Sequence, residues 1–193
     1  ICFGLLSTAL FAHFLTETEF GLYKYLIGVS VILSSFSLTG IGQSILQAAA
    51  KGWPGFYRET LKANFLYSLG ITIAGVVGAI YYWHNENDVL AIGCLLVALL
   101  QPFISSLQNI PSLLQGSKRF KENTKLHIAR MFGTTLVSVT ALFLTKSVII
   151  LFFLYLTANL LVLILSNFLY SPKKQEVPEQ IFNQHLSYAK HTS

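Results

Sequence analysis

The sequence carries little charge for its length. Only 11% of its 193 residues are Asp, Glu, Lys or Arg, whereas a soluble domain usually contains about 25%. This is too little charge to cover a globular surface in water, so a soluble globular domain is excluded. Hydrophobic residues make up 53% of the chain. They occur in long blocks rather than in the alternation that is typical of a strand.

Patterns that indicate catalysis or metal binding are also lacking. The two cysteines, Cys2 and Cys94, lie in apolar blocks without CxxC spacing, which favours neither a loop disulfide nor a zinc site. The sequence contains no HExxH, no GxSxG and no glycine-rich phosphate loop. We therefore expect a protein that is not an enzyme and that uses neither a cofactor nor a metal.

Six apolar blocks follow one another along the chain. A helix needs about 20 mostly apolar residues to cross a hydrocarbon core of roughly 30 Å, and several blocks reach this length. We predict an all-α polytopic membrane protein with a six-helix lobe at residues 1–171, and a cytoplasmic linker that leads into an amphipathic segment at 172–193. The predicted spans are residues 1–15, 20–46, 63–83, 89–117, 124–145 and 147–170.

The two ends of the sequence predict a fragment of a longer chain. It begins with Ile1 rather than Met, and the first apolar block has only 15 residues. At about 1.5 Å per residue, such a helix is too short for a full crossing. The last residues resemble the start of another amphipathic helix. We expect both ends to be cut.

The cations of the chain fall mainly on one side of the predicted membrane. That side has 11 of the 13 Lys and Arg residues: Lys51, Arg58, Lys62, Lys118, Arg119, Lys121, Lys125, Arg130, Lys173, Lys174 and Lys190. Because cytoplasmic loops carry an excess of Lys and Arg, the amino terminus is predicted to lie in the cytoplasm. Topology explains the net charge of +5, so we expect no nucleic-acid partner.

The second block combines small hydroxyl residues with an amide. Ser30, Ser34 and Ser37 follow helical spacing, and Gln43 lies further along the same block. Repeated small hydroxyls in a span indicate either close helix packing or a wetted face. We interpret this face as the lining of a polar cavity, and a packing seam is the alternative.

The fourth block contains two prolines and several amides. Pro102 and Pro111 predict kinks, because proline removes a backbone donor and distorts a helix. Gln101, Gln108 and Asn109 lie beside them. The combination is typical of a bent helix next to an aqueous cavity, and a structural kink whose amides bond to neighbouring helices is the alternative.

Three segments resemble a known family of transporters. The link and helix start EFGLY (residues 19–23), the stretch LTGIG (38–42) and the link LLQGSKRFKENTKLHIAR (113–130) occur in an order that is similar to the polysaccharide transporters of the MOP superfamily. These are the flippases of O-antigen and other lipid-linked oligosaccharides of the cell envelope. The resemblance covers most of the chain.

The resemblance implies a fold and a function. It implies a transporter with 12 to 14 helices in two lobes, of which this chain would be the amino-terminal lobe, and alternating access across the cytoplasmic membrane. The partners would be a lipid-linked oligosaccharide of the undecaprenyl-diphosphate type, the bilayer and the missing carboxy-terminal lobe. Two alternatives stay open: a related exporter of drugs or other small molecules, and a membrane glycosyl-polymerase or ligase.

An anionic diphosphate lipid needs cations in the cavity through which it crosses. An unpaired charge in a low dielectric costs several kcal/mol. Lys24, Arg130 and His13 lie near the ends of predicted spans and are the candidates for this role. Lys24 and Arg130 could instead extend to lipid headgroups, and His13 could be a packed neutral side chain.

Overall fold

The protein is helical throughout its regular structure. A computed structural model describes residues 8, 11–35, 40–145 and 147–172, and no strand occurs among them. A short helical turn at residues 11–14 precedes seven helices. These are α1 (Glu17–Ser34), α2 (Ile41–Ala50), α3 (Phe56–His84), α4 (Asp88–Leu107), α5 (Ile110–Gly116), α6 (Phe120–Leu144) and α7 (Val148–Tyr170).

Four helical stretches in the described part of the chain are long and apolar enough to cross a membrane. They are Phe56–His84, Asp88–Gly116, Phe120–Leu144 and Val148–Tyr170. The predicted all-α class is confirmed, whereas the predicted count of six spans is not. Most of the first predicted span and most of the predicted linker lie outside the described residues.

Helix α1 begins in the segment that was predicted to be a link. Thr16 and Glu19 form a capping box: the Thr16 backbone N–H donates to Glu19 Oε2 at 2.9 Å, and the Glu19 N–H donates to Thr16 Oγ1 at 3.3 Å. This pair satisfies two amide groups that a helix start would otherwise leave without partners. The helix therefore starts at Glu17 rather than at residue 20.

The second predicted span is divided in the structure. Helix α1 ends at Ser34 and α2 begins at Ile41. Residues 36–39, which include Ser37 and the first half of LTGIG, lie outside the described residues. Helix α2 packs against α5 and the start of α3, where Phe56 and Tyr57 are buried. This contact explains why α3 begins at Phe56, earlier than the predicted residue 63.

The fourth predicted span breaks between its two prolines. Pro102 lies inside α4, whereas Pro111 lies in the first turn of α5. The first turn is the position where a helix tolerates proline best, because the missing N–H would have no partner there. Gln108 and Asn109 form the break between the two helices. The predicted bend is therefore a helix break rather than a curve.

Among the described residues, α3 and α4 form the most extensive helix–helix contact. A Cβ atom at Gly75 would lie 2.8 Å from Ala98 Cβ, which is closer than two carbon atoms can approach. Small residues at this crossing let the two backbones come together, as is typical of membrane helices. Helix α7 packs on α4 and α6, and α1 packs on α4 and α7.

Candidate functional site

A cavity of about 210 Å³ lies between α1, α6 and α7. It is bounded on one side by Thr8 and Phe11, which precede α1 in the sequence. Hydroxyl, aromatic and apolar side chains line it together with one lysine. The lining residues are Thr8, Phe11, Tyr23, Lys24, Ile27, Thr134, Thr135, Ser138 and Tyr155.

The packing of the helices explains why this cavity is open. Helices α1 and α6 both pack on α7, but among the described residues they make only marginal contact with each other. The side chains at this gap are short hydroxyls on α6, namely Thr134, Thr135 and Ser138. Short side chains do not fill the space between two helices that barely touch, so a polar cavity remains.

Lys24 lies at the wall of the cavity on α1. Its Nζ atom donates to Thr8 Oγ1 at 3.5 Å and lies 5.5 Å from the centre of the Phe20 ring. The side chain is exposed. Among the residues that the structure describes, no carboxylate lies within ion-pair distance of Lys24. Its charge is therefore available to a ligand or to lipid headgroups.

Arg130 on α6 reaches α7 near the same cavity. Its Nε atom donates to Asn159 Oδ1 at 3.0 Å. Tyr155 lies one turn before Asn159 and lines the cavity. On α6, Thr134 lies one turn after Arg130 and donates to the Arg130 carbonyl at 2.8 Å. Arg130 is thus held next to the cavity by a neutral amide.

An aromatic and hydroxyl cluster completes the cavity wall. The Tyr23 ring stacks on Phe11 with 4.9 Å between ring centres. Tyr23, Ser138 and Tyr155 line the cavity together. Hydroxyls of this kind can donate to phosphate or sugar oxygens. The site therefore offers cations and hydroxyl donors on three helices.

The serine face of α1 satisfies its own hydroxyls. Ser30 Oγ donates to the Ile27 carbonyl at 2.7 Å, and Ser34 Oγ donates to the Val31 carbonyl at 2.6 Å. Such bonds let a serine lie in an apolar environment without water. Neither residue lines the cavity described above, and Ser30 is buried. A role for either serine in binding substrate stays a prediction, as it does for Ser37.

The amides predicted to line a cavity are dispersed. Gln101 and Pro102 are buried, Gln108 and Asn109 form the break after α4, and Gln43 on α2 is exposed. Asn109 Oδ1 lies close to the backbone of Gly42, because a Cβ atom there would be 3.2 Å from it. None of them lines the cavity that contains Lys24.

Side chains of α3 bind the carbonyls that Pro102 and the helix break leave without donors. Pro102 has no N–H for the Ala98 carbonyl, and Thr72 Oγ1 donates to this oxygen at 3.0 Å. Asn64 Nδ2 donates to the Ser105 carbonyl at 2.9 Å, near the end of α4. These contacts match the alternative in which the kink is structural and polar groups bond to neighbouring helices.

His13 lies in the short helical turn before α1. Its side chain is exposed, and its ring meets the Phe14 ring edge to face, with 5.4 Å between centres. It does not line the cavity. A role for His13 in handling an anion stays a prediction.

Several residues of the site were not found by the sequence argument. They are Tyr23, Thr134, Thr135, Ser138, Tyr155 and Asn159. Asn159 carried a usable signal, because a primary amide in the most apolar helix of the chain is costly without a partner. The hydroxyl residues of α6 could have been found in the same way as the serines of α1, because repeated small hydroxyls in a span indicate close packing or a wetted face.

The fold and the comparisons define the class of protein. Several apolar helices of spanning length, packed around small residues and a polar cavity, make this an all-helical, multi-pass membrane protein. A family model described as polysaccharide biosynthesis protein matches residues 2–191. The chain belongs to this family, and the resemblance stated from its motifs is confirmed. No curated protein and no solved structure matches the chain.

Proposed function

We propose that the protein takes part in polysaccharide biosynthesis as a flippase. It moves a lipid-linked oligosaccharide, with a polyprenyl diphosphate head, across the cytoplasmic membrane by alternating access. The observation that carries this proposal is the cavity between α1, α6 and α7, with Lys24 in its wall and Arg130 beside it. Family membership supports the polymer-precursor class of the cargo.

The charges at the cavity fit an anionic cargo better than a cationic one. In the described part of the chain, neither Lys24 nor Arg130 has a carboxylate partner. The described acidic residues lie at helix starts or in links: Glu17, Glu19, Glu59, Glu86, Asp88 and Glu122. A diphosphate crossing the membrane would gain charge-assisted hydrogen bonds from the two cations. An exporter of cationic drugs would instead need an acidic group in the cavity.

The rest of the proposal concerns topology and partners. The amino terminus faces the cytoplasm, the start of α4 lies outside, and a second lobe of similar size completes the transport path. No covalent chemistry is part of this mechanism, so the protein is not an enzyme.

A cysteine in place of Asp88 should react with an impermeant reagent from outside intact cells, and one in place of Lys121 should not.

The experiment is a flipping assay on the full-length protein in proteoliposomes. The probe is a short polyprenyl diphosphate that carries a fluorescent sugar, and dithionite destroys fluorescence only in the outer leaflet. We expect the wild type to expose the whole probe pool. The Lys24→Ala, Arg130→Ala double variant should leave the inner half protected, because both cations at the cavity are lost.

A matched variant controls for the loss of positive charge. Lys62 and Lys121 are exposed and lie outside the cavity, so the Lys62→Ala, Lys121→Ala variant should flip the probe as the wild type does. Equal flipping by both double variants at equal protein amounts would contradict the proposed site. Efflux of a cationic dye without flipping would favour the drug exporter, and lengthening of the sugar chain would favour the polymerase or ligase.

A further inference from the structure

We propose that Asn159 is a positioning residue that fixes the Arg130 guanidinium beside the cavity without neutralising its charge. The inference rests on the proposed function, since it assigns a role to a neighbour of the cation that would bind the diphosphate. It begins from one contact, the 3.0 Å hydrogen bond from Arg130 Nε to Asn159 Oδ1.

The partner of Arg130 is neutral although the location would favour an acid. A guanidinium in a membrane span usually pairs with a carboxylate or with backbone carbonyls. Asn159 is only 8% exposed and belongs to α7, the most apolar of the spanning helices. An aspartate has nearly the same shape as asparagine and would hold the arginine more strongly. The amide therefore supplies orientation and omits the negative charge.

The geometry of the bond leaves the rest of the guanidinium available. An arginine presents N–H donors on three nitrogens in a rigid plane. Asn159 uses Nε, and the structure assigns no side-chain partner to the two terminal nitrogens among the described residues. These are the nitrogens that bind a phosphate with two parallel hydrogen bonds. Fixing Nε therefore fixes the plane in which the terminal pair faces a ligand.

Tyr155 connects this pair to the cavity. It lies one turn before Asn159 on α7 and lines the cavity. On the opposite wall, Lys24 reaches the same cavity from α1. An anion in the cavity would thus meet the Lys24 ammonium on one helix and a guanidinium held by Asn159 next to another.

The test compares Asn159→Asp with Asn159→Ala in the full-length protein. Asn159→Asp keeps the shape and the acceptor but adds a charge that neutralises Arg130. If Asn159 only stabilises the helix pair, Asn159→Asp should transport normally. We expect instead that Asn159→Asp unfolds at the same temperature or higher. Its flipping rate should nevertheless fall by about tenfold or more, because one charge-assisted hydrogen bond changes an equilibrium by about this factor. Asn159→Ala should lose both stability and flipping.

A second readout does not depend on the cargo. Phenylglyoxal modifies free guanidinium groups, and mass spectrometry of peptides reports each arginine separately. Arg58 is exposed on α3 and serves as the reference within the same molecule. In Asn159→Asp the carboxylate should bind Nε and the adjacent terminal nitrogen and neutralise the guanidinium, so modification of Arg130 relative to Arg58 should slow by about tenfold.

The outcomes separate the inference from the proposed function. Equal modification of Arg130 in the wild type and in Asn159→Asp would overturn the inference, as would normal flipping by Asn159→Asp. If the wild type flips no polyprenyl diphosphate while the difference in modification persists, the proposed function fails. In that case the positioning of an unneutralised Arg130 is still supported.

Discussion

Two polar regions lie within the membrane-spanning part of this protein, and their polar groups have different kinds of partner. Between α3 and α4, the helices are in close contact, and Thr72 and Asn64 donate to carbonyls of α4. Between α1, α6 and α7 lies a cavity, and among the described residues the cations Lys24 and Arg130 have neutral partners.

The difference shows what polar residues in a span can indicate. A side chain that binds a freed carbonyl repairs a helix, and it needs no water or ligand to be stable. A cation that lacks an acidic partner keeps its attraction for an anion. Polarity by itself therefore does not identify a transport cavity. The partners of each polar group decide whether a region is structural or available for binding.

The largest loss of stability at the contact between α3 and α4 is expected from a substitution at Gly75. In Gly75→Ala the new Cβ would lie 2.8 Å from Ala98 Cβ and 3.1 Å from Ala98 Cα, so the backbones must separate. We expect a loss of about 1–3 kcal/mol in unfolding free energy, as is typical of an overpacked contact. Unfolding of the purified protein in a denaturing detergent measures this loss.

Gly78→Ala is the matched control in the same helix. Its Cβ would lie 3.5 Å from Cys94 Sγ, which is an ordinary contact. The substitution should therefore be neutral or slightly stabilising. If Gly75→Ala and Gly78→Ala lowered the unfolding free energy equally, the close approach of the two helices at Gly75 would not be the cause of the loss.

A smaller effect is expected at Thr72, whose hydroxyl donates to the Ala98 carbonyl. Thr72→Val keeps the shape and removes the donor, which should cost about 0.6 kcal/mol, the average for such bonds in a membrane protein. In Pro102→Ala, residue 102 regains an N–H for the same carbonyl. Thr72→Val should then cost less, and a double-mutant cycle measures the difference.

Thr157→Val is the control for the loss of a hydroxyl in a span. Thr157 Oγ1 donates to the Phe153 carbonyl of its own helix, at 2.9 Å. That carbonyl belongs to an uninterrupted helix and keeps its backbone partner, so the cost should be close to zero. If Thr72→Val costs the same in both backgrounds, the bond to Ala98 does not compensate for Pro102.

Hydropathy predicted the helices that lack an internal break. Helices α6 and α7 begin and end close to residues 124–145 and 147–170, because no helix break interrupts either block. The other boundaries depend on local chemistry. The capping box at Thr16 and Glu19 lengthens α1, and Pro111 starts a helix rather than bending one. Both signals were present in the sequence but are weaker than a long apolar run.

The sequence predicted only part of the candidate site. Lys24 and Arg130 were predicted because an anionic diphosphate needs cations and both lie near the ends of predicted spans, which can be seen for each residue alone. Their common cavity depends on how α1, α6 and α7 are rotated about their axes. The pairing of Arg130 with Asn159 joins residues on two helices, and no periodicity in either helix specifies that contact.

The central claim is that the cavity between α1, α6 and α7 is wet and positively charged. Thr135 lines the cavity, and we would replace it with cysteine in a background that lacks Cys2 and Cys94. The measured quantity is the rate of reaction with negatively charged sulfonatoethyl methanethiosulfonate, divided by the rate with its positively charged trimethylammonium analogue. Mercaptoethanol in solution gives the reference ratio, and a cysteine in place of Ser68, which is fully buried between α3 and α4, is the unreactive control.

The account predicts that Thr135→Cys reacts and that its ratio exceeds the reference by about tenfold or more, because two cations lie near the thiol. Adding Lys24→Ala and Arg130→Ala should return the ratio to the reference. A cysteine at position 135 that does not react, or that prefers the positively charged reagent, would contradict the claim that this cavity receives an anion.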